Sequence, residues 1–132
     1  MQHLLRWSRS LAAVVIGYAM IVALTTLVFR EFDGLEYHRS SAGKLILGGA
    51  FIAAAGFVGG YVAAWLAGRA PFAHGAAVVI FLIVDTSVVI SRGPRDPLWF
   101  TLLSAFGLMA PTVFGGAMRW WVARNRRAAG LS

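Results

Sequence analysis

Residues 45–68 read LILGGAFIAAAGFVGGYVAAWLAG, twenty-four positions without a charged side chain. A helix of that length covers roughly 36 Å, more than the ~30 Å of hydrocarbon in a bilayer. The run is continuous instead of alternating, and it is about twice the length of a membrane β-strand, so a helix is predicted. Only Arg69 and Ala70 separate it from a second apolar run that opens at Pro71. Proline suits a first helical position and Gly68 a helix stop, so the two runs predict a tight antiparallel hairpin.

Working outward, the same pattern recurs on both sides. Leu11 to Phe29 is uncharged for nineteen residues. Arg6 and Arg9 precede it as in a signal peptide, but the run is longer than an h-region and ends in Thr26-Leu-Val-Phe29-Arg30, so a retained helix is expected. At the other end, Asp96-Pro97 reads as an N-cap followed by a first-turn proline, opening a run that continues to Trp121 through Pro111. Ser40 or Ser41 can cap the start of the second helix.

The expected fold is therefore all-α: an antiparallel four-helix membrane bundle of one domain, residues 1–132. Its helices fall at about 10–29, 44–68, 71–91 and 97–121. An outer loop covers 30–43 and a basic tail 122–132. In the outer loop a short interfacial helix is expected, with Phe32 and Leu35 dipping into lipid.

Composition agrees. The chain is 59% hydrophobic and 13% charged, about half the charged share of a soluble domain. The net charge of +7 raises the question of nucleic acid. Eleven of the twelve basic residues are Arg, and nearly all stand just outside apolar runs. Membrane proteins place charge in this way, whereas a groove-binding element carries it as a stripe, so no nucleic-acid partner is expected. With the N-terminus inside, Arg6, Arg9, Arg69, Arg119, Arg124, Arg126 and Arg127 face the cytoplasm. Arg30, Arg39, Lys44, Arg92 and Arg95 face outward. Seven against five places both termini on the cytoplasmic side. Trp7, Trp65, Trp120 and Trp121 then mark one interface and Trp99 the other.

No cysteine is present, which removes thiolate chemistry. Glu31, Asp33, Glu36 and His38 in the outer loop have no ligand spacing, so no metal or other cofactor is expected. Neither G-x-S-x-G nor a phosphate-cradling loop occurs, and the protein reads as a non-enzyme.

Three groups of residues remain. Gly49, Gly56 and Gly60 share a face of the second helix, while Gly107 and Gly115 share one of the fourth. Small residues let membrane helices approach closely, either inside the bundle or against a homo-oligomer or other membrane subunit. Asp85 interrupts the third run, in FLIVDTSV (81–88). A carboxylate inside a span costs at least a few kcal/mol unless it is paired, protonated or hydrated. His74, eleven residues earlier, and Arg92, seven later, project from nearly the same face. One reading is a proton or ion relay, with Asp85 titrating, His74 at the inner mouth and Arg92 snorkelling back. The plainer reading has Asp85 accepting hydrogen bonds from Ser104, Thr101 or Tyr18. Finally, Arg119, Arg124, Arg126 and Arg127 beside two tryptophans can touch anionic headgroups, or can serve only to fix topology.

The segment GGYVAAWLAGRAPFAHG (59–75), with Pro97-Leu-Trp-Phe100 and Gly115-Gly116, resembles a broad group of small uncharacterised bacterial four-span membrane proteins. These share a glycine-rich second helix, a short Arg-Pro-His turn and a Pro-x-Trp start to the fourth helix. The resemblance covers about residues 45–118. It implies a bacterial inner-membrane location and carries no catalytic residues. Small multidrug exporters are similar in size, but they place an acidic residue in the first helix, where this chain has none. The expected function is an accessory or scaffold subunit packing through glycine-rich faces. The alternative is a small oligomeric transporter or channel using Asp85.

Overall fold

A computed structural model describes residues 2–68 and 70–130; the side chains of 2–6 lie outside the description, Arg6 among them, as does Arg69. Four helices follow in chain order: α1 (Gln2–Glu31), α2 (Ala42–Ala67), α3 (Pro71–Ser91) and α4 (Leu98–Ala128). All four are long and apolar enough to cross a membrane. No strand occurs among the described residues.

Local chemistry accounts for most of the boundaries. Ser41 caps α2, its hydroxyl accepting the Lys44 N–H at 3.3 Å. Gly68 ends α2 at φ 71°, a left-handed conformation that costs glycine nothing. Pro71 stands in the first turn of α3. Asp33 closes α1 at φ 49°, and the Gly34 N–H returns to the Phe29 carbonyl at 2.8 Å.

The start of α4 departs from expectation. Pro97 occupies the N-cap, with no side-chain cap. The Asp96 carboxylate instead accepts the backbone N–H of Tyr37 at 2.8 Å. This bond ties the α1–α2 loop to the α3–α4 loop, and the Tyr37 ring reinforces it edge-on to Trp99 at 5.0 Å. The Asp96→Ala variant should lose roughly 1–2 kcal/mol of stability, read as a lower thermal midpoint in detergent. An unchanged midpoint would show that the aromatic contacts suffice alone.

The loop narrows to residues 32–41, since α1 runs to Glu31 and α2 opens at Ala42, and those ten residues contain no helix. Leu35 is buried, filling the notch left by Gly48 of α2, where an added Cβ would stand 2.5 Å from Leu35 Cδ1. Phe32 meets Phe51 of α2 at 6.1 Å. Both apolar side chains therefore turn back onto α2, Leu35 buried in the Gly48 notch and Phe32 half-exposed against Phe51. The basic segment after Trp121 also differs from expectation. It is the last two turns of α4, not a separate tail.

α2 is the centre of the bundle. It packs most extensively on α4 and on α1, and α3 touches all three other helices. Two glycine faces permit this. Toward α4, a methyl group on Gly56 would stand 2.5 Å from the Leu108 carbonyl oxygen, and one on Gly60 would run into the Thr112 carbonyl. Toward α1, Gly59 seats Ile21, while Gly17 faces Ala63. The core of Val14, Ile21, Ala63, Val78 and Leu82 lies toward the end that holds the chain termini. Toward the loop end α3 buries nothing beyond Leu82, and α4 buries nothing before Thr112. The tight half of the bundle is the terminal half.

Candidate functional site

Asp85 lies in the loosely packed half of α3. It is exposed, and it forms no hydrogen bond or ion pair among the described residues. The donors expected to meet it are engaged or turned away. Thr101 Oγ1 points back to the Pro97 carbonyl at 3.5 Å, and Ser104 is exposed. Tyr18 lies near enough to feel the carboxylate charge, but its ring packs on Phe81 at 5.6 Å without a hydrogen bond to Asp85. The structure thus corrects the plainer reading: none of these donors bonds to Asp85 among the described residues.

His74 and Arg92 do not join it. The Nδ1 of His74 stands 3.0 Å from its own helix's Ala70 carbonyl, three turns or about 16 Å below Asp85. Val78, fully buried, and Phe81 lie between them. Arg92 is the exposed C-cap of α3, and its backbone N–H bonds to Val88. The three residues share a side of one helix without forming a polar chain. Among the described residues no cluster has the makings of a metal site.

A second polar place lies at the terminal end. Ala64 and Gly68 of the α2 end, Ala70 and Pro71 of the α3 start, and one stripe of α4 enclose a cavity of about 430 Å³. The α4 stripe is Arg119, Trp120, Ala123, Arg124 and Arg127, spaced by the helical repeat. Arg119 is half-buried, and its Nε is closed off with no acceptor among the described residues. The Arg124 guanidinium rests over the Trp120 ring, 5.4 Å from its centre. Arg126 faces elsewhere. Beside the cavity, Arg9 donates from Nε to the Leu66 carbonyl at 3.0 Å, capping the negative end of α2.

No family model matches the chain, and neither the curated proteins nor the solved structures hold a match to it. The site must therefore be read from its own geometry.

Of the glycines expected at packing faces, Gly56, Gly60 and Gly115 lie in the α2–α4 contact, Gly115 against the Phe57 carbonyl and the Tyr61 amide. Gly49 and Gly107 face open space. Gly59 and Gly75 were missed, whereas Gly116, beside Gly115, was a second expected place for close contact and pairs with Gly75. In that pair a Cβ on Gly75 would stand 3.1 Å from the Gly116 Cα. The adjacent glycines at 59–60 and 115–116 were the available signal, since neighbouring small residues on a helix serve two different faces. The cavity was missed for another reason: half of its wall comes from the α2–α3 turn, far from the arginines in sequence.

Proposed function

We propose that the protein is a multi-pass protein of a bacterial inner membrane, with both termini cytoplasmic. It acts as a non-enzymatic accessory subunit that docks a transmembrane helix of another polypeptide on the Asp85 face of α3. The seven-to-five distribution of basic residues and the resemblance over residues 45–118 support the location and orientation. One observation carries the function: an exposed carboxylate without a partner, in a stretch whose neighbours Ile83, Val84, Val88 and Val89 are exposed and apolar. Facing lipid, it would cost at least about 3 kcal/mol. A partner helix bearing a hydrogen-bond donor or a cation at that depth removes the cost and makes association specific. Of the glycines first suggested for such docking, Gly56, Gly60 and Gly115 are occupied within the bundle, and only Gly49 and Gly107 face open space. Transport through Asp85 lacks support of this kind, because His74 is committed to its own backbone.

A photo-crosslinker at Val88, beside Asp85, should capture one discrete membrane polypeptide, while one at exposed Ile46 of α2 should not. The adduct should vanish with Asp85→Leu and persist, weakened, with Asp85→Asn. Adducts to lipid alone would sink the proposal. A product of twice the chain's mass would replace the foreign partner with a second copy.

A further inference from the structure

We infer that the arginine cavity at the terminal end is a binding site for a phosphate group, and that its natural source is the headgroup of an anionic lipid. The inference uses the membrane orientation proposed above but stands apart from docking at Asp85.

Charge is the first ground. Arg119, Arg124 and Arg127 converge on one cavity, and none forms an ion pair among the described residues. All five acidic residues of the chain (Glu31, Asp33, Glu36, Asp85 and Asp96) lie away from it, toward the loop end. Half-burying Arg119 removes water from its guanidinium, and nothing among the described residues replaces that water with negative charge. A buried uncompensated charge is destabilising, and an anion in the cavity offsets it.

Backbone is the second ground. α3 opens into the cavity at Ala70 and Pro71, and its N-terminus has no side-chain cap. The N-terminus of α3 thus turns the positive end of a 21-residue helix dipole toward the cavity, although Pro71 itself has no amide to donate. The donors are the arginine forks, which tetrahedral phosphate oxygens take readily.

Shape is the third ground. A cavity of about 430 Å³ is the size of a headgroup rather than of a single ion. Trp120 and Trp121 beside it are exposed at the level where a lipid's glycerol and carbonyls lie. Basic pockets between helices on the cytoplasmic side hold phospholipid headgroups in this way.

The test is native mass spectrometry of the full chain in mild detergent, titrated with phosphatidylglycerol, with phosphatidylcholine, or with inorganic phosphate against bound phosphatidylglycerol. The wild type should retain phosphatidylglycerol over phosphatidylcholine by at least about tenfold. Arg119→Gln and Arg127→Gln should each lower that retention roughly fivefold. Arg126→Gln, which removes the same charge outside the cavity, should leave it unchanged. Ala123→Leu keeps every charge and fills the cavity, and it too should lose the lipid, which separates a built site from a folding defect. Displacement by millimolar phosphate would make free phosphate the source. Equal loss from Arg126→Gln, or equal retention of the two lipids together with no phosphate binding, would overturn the inference.

Discussion

Gly60→Ala should destabilise the isolated protein by about 3 kcal/mol or more, for the addition of a single methyl group. That methyl group would run into the Thr112 carbonyl oxygen, with the Thr112 backbone carbon 2.8 Å away. A backbone atom at that distance cannot rotate aside as a flexible side chain can, so α2 and α4 must separate. Separation forfeits the largest helix contact in the bundle, and in lipid no hydrophobic force restores it. Gly115→Ala should behave alike, since its methyl group would meet the Phe57 carbonyl. Gly49→Ala and Gly107→Ala supply the contrast. Nothing lies within 4 Å of either position, and alanine is the better helix former by about 0.8–1 kcal/mol. Thermal or denaturant unfolding in detergent, followed by circular dichroism, reads all four. If Gly60→Ala and Gly49→Ala unfold together, the close α2–α4 approach is not what holds the bundle.

Asp85→Leu should act with opposite signs in two settings. In the purified chain alone it exchanges an unpaired carboxylate for an apolar side chain on an apolar surface. Stability should rise by about 2–3 kcal/mol. In the native membrane the same change removes the group through which the proposed partner would be recognised, so the complex expected on native gels from gently solubilised membranes should be absent. Gain in one setting and loss in the other is the signature of a residue kept for association at the expense of stability. Destabilisation of the isolated chain would instead mean that Asp85 holds the bundle together from within.

Much of the fold could be read from the chain because the spans are uninterrupted. An apolar run such as 45–68 has one arrangement in lipid, and Ser41, Gly68 and Pro71 carry their boundary chemistry in their own side chains or backbones. Asp96 misled because its carboxylate had a competing donor, the Tyr37 amide, 59 residues away. Leu35 misled for the same kind of reason, since only the folded α2 reveals the Gly48 notch. Gly49, Gly56 and Gly60 look equivalent on a helical wheel. They differ in height along the bundle, and at the level of Gly49 nothing packs within 4 Å of an added methyl group. Asp85 stood out as a lone charge in a run of apolar residues, but its direction depended on how α3 rotates against α1 and α4, which no local pattern encodes. The arginine stripe was visible, whereas the cavity it lines required the α2–α3 turn to arrive from the other side.

The unequal packing of the two halves has a mechanical consequence for α4. Pro111 lacks the amide that would hold the Gly107 carbonyl, and it stands one residue before Thr112, the first buried position of the helix. The cheapest place for α4 to bend therefore coincides with the edge of its seat. Residues 108–116 are clamped through glycines, from Gly56 against Leu108 to Gly75 against Gly116, while residues 98–107 form an arm jointed at its base. The Tyr37–Asp96 bond restrains only its tip. An arm built this way can swing to admit a neighbour at the loop end while the grip around the arginines stays closed.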